Sequence, residues 1–170
     1  MANLRLNSAP RCLFRAPVYL YRWQCGWLLG HRLLLLSQVG RRTGLRRCTV
    51  LEVLEYRKDS PEAVVMSAFG RDAGWLRNIE ATPDPGVVIG SQSFTAAYRF
   101  LDDEEAVQVI TGYERRNRFI APIIRAMLSR LLGWRYDSSA ASRLRLVRQL
   151  PLIAFRPQHR GNKHSNHRSL

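Results

Sequence analysis

The sequence lacks the motifs that identify most hydrolases, nucleotide-dependent enzymes and metalloenzymes. It contains no G-x-S-x-G, no H-E-x-x-H, no Walker loop, no C-x-x-C and no G-x-G-x-x-G. Its three cysteines, Cys12, Cys25 and Cys48, have neither a metal-binding spacing nor an even number, which favours reduced thiols over a disulfide framework. The sequence therefore lacks the residue patterns of common hydrolytic and metal sites. An enzyme with this sequence would need an organic cofactor for its difficult step.

Long apolar runs and lysine are also scarce. No run reaches the roughly 18 residues that span a bilayer, and Arg5, Arg11 and Arg15 interrupt the amino-terminal stretches where a signal peptide would lie. We therefore expect a cytoplasmic protein, soluble or peripheral at the inner face of the cell membrane. Because lysine occurs only at Lys58 and Lys163, nearly all of the formal charge of +14 comes from arginine. Arginine forms paired contacts with phosphate and carboxylate, so the excess indicates an anionic partner, although a GC-rich genome produces the same bias.

The chain of 170 residues suits one domain with a single core, flanked by two segments of different character. Residues 1–32 are expected to form an amphipathic helical segment, in which Trp23 and Trp27 fall at helical spacing among arginines. This segment either packs across the end of the domain or lies on a membrane surface. Residues 158–170 are basic and without periodicity, as in a disordered tail. The domain itself is expected at residues 33–157.

Within the domain, short runs rich in Val, Leu and Ile are separated by turn residues, as in antiparallel strands joined by hairpins. Strands are expected at Leu33–Val39, Cys48–Tyr56, Ala63–Ala68, Val87–Ile89, Phe94–Leu101 and Pro151–Phe155. Helical patterns occur at Trp75–Ala81, from Asp102 onward, at Phe119–Leu132 and at Ser139–Gln149. Since no βαβ alternation is present, these elements predict an antiparallel barrel of the α+β class.

The densest functional signal is the hairpin Gly40–Arg47, whose sequence is GRRTGLRR. Four guanidinium groups, the Thr43 hydroxyl and the hairpin amides converge in one turn, which suits a polyanion. The alternative is a solvated basic hairpin without a ligand. A second signal is the strand-end stretch Ser67–Arg71, where small residues let a flat ring approach the backbone. The helix that follows carries Asn78, which is expected to cap or brace it.

Three motifs in order resemble the deazaflavin-dependent nitroreductase and quinone reductase family. They are a G-R-x-[ST]-G-x-x-R hairpin at Gly40–Arg47, small residues at the strand end Ser67–Gly70, and a W-x-x-N-[LI]-x-A-x-P helix at Trp75–Pro83. The resemblance extends over roughly Leu33 to Pro157. It implies a split, FMN-binding-like β-barrel with inserted and C-terminal helices. It also implies hydride transfer from reduced coenzyme F-420 to an electron-poor acceptor such as a quinone, a nitroaromatic or an activated alkene.

The resemblance also assigns roles to individual residues. The phosphate and oligoglutamate tail of F-420 would be held by five hairpin residues, Arg41, Arg42, Thr43, Gly44 and Arg47. The deazaflavin ring would be lined by Ser67, Ala68, Phe69 and Gly70, with Trp75 beside them. Arg71 would replace a lysine of many family members, in a loop that is shorter here. Aromatic residues would shape the acceptor site, with Trp27, Tyr113 and Tyr136 as candidates, and the proton would come from Tyr113, Tyr136, Ser67 or water.

Three other functions fit parts of the pattern. An FMN-binding split-barrel oxidoreductase would use the same barrel with FMN as its cofactor. A nucleic-acid-binding protein would place the arginine hairpin and the basic tail on phosphates, but the strands offer no obvious exposed aromatic platform for stacking bases. A membrane-surface protein without turnover would use Trp23 and Trp27 of the amino-terminal segment. The sequence does not identify the physiological acceptor.

Overall fold

The computed structural model describes residues 31–158 of the chain. This part contains six strands, which pair antiparallel, and four helices. Its strands are β1 (Leu33–Val39), β2 (Arg46–Arg57), β3 (Glu62–Met66), β4 (Gly86–Ile89), β5 (Gln92–Phe100) and β6 (Leu152–Pro157). Its helices are α1 (Gly74–Ala81), α2 (Asp103–Arg116), α3 (Ala121–Leu132) and α4 (Ala140–Gln149). Short 3-10 turns at Gly70–Asp72 and Arg118–Ile120 lead into α1 and α3.

Two sheets that share β2 and β5 close into a barrel with the strand order β1-β2-β3-β6-β5-β4. The first sheet contains β1, β2, β4 and β5, and the second sheet contains β2, β3, β5 and β6. The long strand β2 serves both sheets because it pairs with β1 up to Glu52 and with β3 from Val53 onward. The register shifts between Val53 and Glu55, where the bulge bends the strand from one sheet into the other. The expected α+β barrel of antiparallel strands is confirmed. Helix α1 is inserted between β3 and β4, while α2, α3 and α4 lie between β5 and β6.

The barrel interior is filled by the inward-facing side chains of all six strands. Side chains alternate along β5, and Phe94, Ala96, Tyr98 and Phe100 all pack against this core. Phe155 of β6 is fully buried at its centre. Period-two alternation therefore positions the barrel core without help from helical residues, except where α1 covers one end.

The last three helices cover the outer side of the second sheet. Leu54, Val64 and Ala154 face outward from β2, β3 and β6 into a second core with α2, α3 and α4. The Asp102 side chain caps α2 by accepting a hydrogen bond from the Glu105 amide at 2.8 Å. Helix α3 ends at Gly133, which adopts a left-handed conformation with φ of 75°. These caps explain why the predicted start of α2 and the predicted end of α3 agree with the structure.

Some boundaries differ from the prediction. The helix expected from Phe119 begins at Ala121, because residues 118–120 form a 3-10 turn before Pro122 enters the first turn of α3. Strand β3 ends at Met66, two residues before the predicted end. The Ser67 amide still donates to the Pro151 carbonyl, but the Ser67 carbonyl accepts from the Gly70 amide in a turn.

Two predicted segments lie outside the described residues. They are the amino-terminal helical segment with Trp27, apart from His31 and Arg32, and the basic tail beyond Gln158. Within residues 31–158, no helix combines the length and apolar character needed to cross a membrane. The cytoplasmic location stays a prediction.

An ion network ties α2 to the second sheet. Arg99 of β5 donates to Glu105 at 2.7 Å and to Glu62 at 3.0 Å, and Arg57 of β2 donates to Glu105 at 2.7 Å. The Glu62 side chain is only 7% exposed, and Arg57 and Arg99 both contact its carboxylate. Hydrogen bonds from Arg99 and then Arg57 hold the pKa of Glu105 at about 2, below its ordinary value of 4.5.

Glu105→Gln is expected to lower the free energy of unfolding at neutral pH by roughly 2 kcal/mol. Because the folded-state pKa of Glu105 is depressed, its contribution is present above about pH 4.5 and is lost as the pH falls towards 2. Urea unfolding over that pH range measures the effect. The wild-type chain should lose more stability on acidification than the variant, and equal pH slopes would show that Glu105 is not responsible.

Candidate functional site

The arginine hairpin between β1 and β2 has a defined conformation. The Gly40 amide donates to the Leu45 carbonyl at 2.8 Å, and the Thr43 and Gly44 amides both donate to the Gly40 carbonyl. Gly44 has a φ of 65°, which favours glycine. A Cβ at Gly40 would lie only 2.8 Å from Nε of Arg47 and 2.9 Å from Oγ1 of Thr43. The glycine therefore makes room for the side chains of Thr43 and Arg47.

Asn78 of helix α1 fixes this hairpin against the barrel. Its Oδ1 accepts a hydrogen bond from the Arg41 amide at 3.2 Å and from Nη1 of Arg41 at 3.3 Å. Asn78 is only 6% exposed, so these bonds satisfy a buried acceptor. The sequence pattern predicts that Asn78 caps or braces its own helix. The structure shows that it braces the hairpin, 37 residues away in sequence.

The hairpin and α1 form the walls of an open cleft of about 570 Å³, which we call the arginine cleft. Of the residues proposed to bind the cofactor, the structure brings five to this cleft: Arg41, Arg42, Thr43, Arg47 and Trp75. Gly44 belongs to the hairpin but does not line the cleft. Among residues 31–158, no Asp or Glu side chain lines the cleft either. Trp75 is 8% exposed and packs against Phe155, which makes it both a core residue and a cleft wall. The cleft is therefore a preformed, positively charged site.

Gln38 is a cleft residue that the sequence motifs do not identify. It occupies the inward register of β1, in line with Leu34 and Leu36, and is 5% exposed. Its Nε2 donates to Oγ1 of Thr49 at 3.0 Å, while its Oε1 is buried with no hydrogen-bond partner in the described part of the chain. A buried polar atom without a partner is rare and calls for a ligand or another explanation. The signal in the sequence was a polar residue at an inward position of an apolar strand.

The strand-end residues proposed to line the ring lie beside the cleft, at the end of β3. Ser67 is fully buried, and its hydroxyl donates to the Gly70 carbonyl at 2.6 Å. Phe69 is 74% exposed, Ala68 is half-buried, and the Arg71 guanidinium lies 4.8 Å from the centre of the Phe100 ring. None of these residues lines the arginine cleft in the described structure. The short turn Gly70–Asp72 links them to Gly74 and Trp75, which do.

The two candidate tyrosines lie away from the arginine cleft. Tyr113 donates to Glu52 at 2.7 Å and lines a separate cleft of about 360 Å³ between β2 and α2. Tyr136 is 2% exposed among the C-terminal helices and donates to Glu114 at 2.7 Å. Burial, and then the carboxylate that each faces, raises the pKa of both hydroxyls well above the usual value for tyrosine. Both therefore keep their protons at neutral pH. The third aromatic candidate, Trp27, lies outside the described residues.

Comparison with known proteins bears on this cleft. Residues 14–117 match the model of a family described as F420H(2)-dependent quinone reductase. The match spans more than half of the chain, and it includes the hairpin, the strand end Ser67–Gly70 and helix α1. No curated protein matches the chain.

Several solved structures are distantly similar. An F420-H2 dependent reductase, FDR-A, shares 14% identity over 74% of this chain and 95% of its own, with a TM-score of 0.43. A heme storage protein from Vibrio cholerae shares 16% identity over 82% of this chain and 90% of its own, with a TM-score of 0.48. A pyridoxamine 5'-phosphate oxidase-related, FMN binding protein from Nostoc punctiforme shares 14% identity over 89% of this chain and 82% of its own, with a TM-score of 0.40.

Proposed function

The chain belongs to the F420H(2)-dependent quinone reductase family, and we propose that it reduces an electron-poor acceptor with a hydride from reduced F-420. The family is one of oxidoreductase enzymes. For this chain, the proposed acceptor is a quinone, with a nitroaromatic or an activated alkene as further members of the same chemical class. Each of these accepts a hydride and then a proton.

The arginine cleft is the observation that carries this proposal. Arg41, Arg42 and Arg47 face one open cavity that no carboxylate of the described chain lines. Phosphate and glutamate carboxylates are the groups that guanidinium binds best, and each charge-assisted contact contributes roughly 1.5–3 kcal/mol. The donor set therefore fits the phosphate and oligoglutamate tail of F-420. Because the hairpin is fixed to α1 through Asn78, the arginines are positioned before any ligand arrives.

The chain's own residues would act by binding and positioning. When bound, reduced F-420 supplies the hydride. Trp75 forms an apolar wall at the cleft, and the strand end Ser67–Gly70 beside it is the proposed ring-lining segment. Holding the acceptor and the cofactor in contact and excluding water is the main requirement for hydride transfer. No residue with a depressed pKa or metal-ligating role is needed for that step.

Protonation of the reduced acceptor is proposed to come from Tyr113, Tyr136, Ser67 or water. Of these side chains, Tyr113 is the one whose hydroxyl lies at an open cleft, while Tyr136 and Ser67 are almost fully buried. Each tyrosine hydroxyl donates a hydrogen bond to a carboxylate in the structure. Because burial and these carboxylates raise the pKa of both hydroxyls, each keeps its proton at neutral pH and would act as an acid only weakly.

Equilibrium binding of the purified full chain to oxidised F-420, FMN and a short oligonucleotide tests the proposal. We expect F-420 to bind more tightly than FMN, because FMN has a phosphate but no oligoglutamate tail. A preference for FMN would favour the alternative of an FMN-binding oxidoreductase. Tight binding of the oligonucleotide with no affinity for either cofactor would sink the oxidoreductase proposal.

Gln38→Leu is expected to weaken deazaflavin binding by about tenfold while leaving the free energy of unfolding unchanged or higher. The buried Oε1 of Gln38 has no partner in residues 31–158, so an apolar side chain of similar size removes an unsatisfied acceptor. We propose that this oxygen accepts a hydrogen bond from the bound cofactor. Isothermal titration and urea unfolding measure the two effects.

Thr49→Val is the matched control for Gln38. It removes the hydroxyl that receives the Gln38 Nε2 hydrogen bond but keeps the buried carbonyl oxygen in place. We expect it to lower stability and to leave cofactor affinity within about threefold. If Gln38→Leu binds F-420 as tightly as the wild-type chain does, Gln38 has no role in recognition.

A further inference from the structure

Helix α3 and the turn before it present an exposed apolar surface, which we call the α3 face. Its members are large side chains that point away from the protein: Phe119, Ile120, Ile123, Met127 and Leu131. Phe119 is 85% exposed and Ile123 is 68% exposed. The other side of the same helix, Ile124, Leu128 and Leu132, is buried in the second core. The helix is thus apolar on two sides, of which the described chain covers one. Contiguous exposed apolar side chains of this kind mark an interaction surface.

The sequence that forms the α3 face is rich in arginine. From Arg115 to Tyr136 the sequence carries no acidic residue and six arginines, namely Arg115, Arg116, Arg118, Arg125, Arg130 and Arg135. Arg130 is exposed and lies three residues after Met127, which places the two side by side on the helix surface. The Arg118 guanidinium lies 4.9 Å from the centre of the Phe119 ring. Arg118 and Arg130 therefore form a cationic rim beside the apolar side chains of the α3 face.

We propose that the α3 face docks on an anionic lipid surface. The apolar side chains would enter the boundary between headgroups and acyl chains, and the arginines would contact the lipid phosphates. Arginine suits this position because its long aliphatic stem follows the apolar surface while its charged end stays at the headgroups. This proposal does not depend on the proposed cofactor or on the reaction.

Charge selects this occupant over the other partners at hand. A second copy of the chain carries a formal charge of +14, the same sign as the rim of the α3 face. Residues 1–30 contain arginines at positions 5, 11, 15 and 22 and no acidic residue, so their charge does not complement this rim either. Nucleic acid matches the charge, but it would leave Ile123 and Met127 facing polar groups. An anionic membrane satisfies both the charge and the apolar side chains.

Co-sedimentation of the full chain with phosphatidylcholine vesicles, with and without phosphatidylglycerol, tests the proposal. We expect binding only to the anionic vesicles, and a decrease of about tenfold in the partition coefficient for Phe119→Ser with Ile123→Ser. The matched control is Phe69→Ser with Leu45→Ser, which removes the same kind of side chain at sites that are 74% and 67% exposed. The control should stay within about twofold of the wild-type chain.

Circular dichroism checks that both double variants are folded. We expect that they are, because all four replaced side chains are exposed. Anionic-vesicle binding that the Phe119–Ile123 variant leaves unchanged would overturn the proposal and assign the binding to another part of the chain. An absence of binding by the wild-type chain would also overturn it. So would a wild-type dimer that the same variant converts to a monomer in sedimentation velocity, because a second copy would then cover the α3 face.

Discussion

Replacing Arg42 and Arg47 together by alanine is expected to weaken F-420 binding by roughly two orders of magnitude or more. Both side chains line the arginine cleft, and neither pairs with a carboxylate in the described structure. Their charge is therefore available to a ligand without breaking an internal ion pair. Removing two charge-assisted hydrogen bonds weakens the binding free energy by at most roughly 3–6 kcal/mol. The loss is smaller where water hydrogen-bonds to the ligand groups that the arginines leave free.

The dependence on tail length makes this prediction specific. Isothermal titration with F-420 species that carry different numbers of glutamates should show a larger decrease in affinity as the tail lengthens, because more carboxylates are left without a partner. Arg115→Ala with Arg148→Ala removes two charges from helices α2 and α4 and is the control for net charge. A decrease in affinity that is independent of tail length, or that equals the decrease in the control, would contradict the proposed tail site.

The second large effect is expected at Asn78. Asn78→Leu removes the acceptor that holds both the amide and the guanidinium of Arg41. We expect the free energy of unfolding to fall by roughly 2–3 kcal/mol, because the variant has no buried acceptor and an apolar side chain faces the Arg41 donors. F-420 affinity should fall at least about tenfold, since the hairpin is no longer fixed before binding.

Asn78→Asp separates bracing from charge. It keeps an oxygen acceptor at the same place and adds a negative charge beside Arg41. We expect its stability to stay near that of the wild-type chain, while F-420 binding weakens because the carboxylate competes with the cofactor for Arg41. Urea unfolding and isothermal titration on both variants distinguish the two effects. If Asn78→Leu binds F-420 normally, bracing by α1 is not part of the site.

Much of the fold follows from local pattern. The alternation of Phe94, Ala96, Tyr98 and Phe100 predicts a strand with one face inward, and all four pack on the barrel core. The two glycines of the hairpin Gly40–Gly44 predict a tight connection, and the structure has one. These features depend on neighbours in sequence, so a single sequence contains the information. The predicted start of α3 is two residues too early, because a 3-10 turn and a helix share the same apolar spacing there.

The site was harder to predict because its contacts are distant in sequence. The residue types in the hairpin identify it as an anion site, but nothing near Asn78 indicates that Arg41 is its partner. For Gln38 the sequence shows only a polar residue at an inward position of β1, while its unpaired oxygen depends on the whole barrel end. The placement of Tyr113 and Tyr136 away from the cleft likewise follows from how the C-terminal helices cover the second sheet, which periodicity alone does not show.

Oxidation of reduced F-420 by menadione, followed anaerobically with the full chain, tests the central claim most directly. We expect the chain to accelerate this oxidation, and we expect the rate at low cofactor concentration to fall at least about tenfold in the Arg42→Ala, Arg47→Ala variant. Reduced FMN in place of reduced F-420 should give little acceleration. A chain that binds F-420 tightly and yet does not accelerate its oxidation by menadione or by any nitroaromatic or activated alkene would contradict the proposed function.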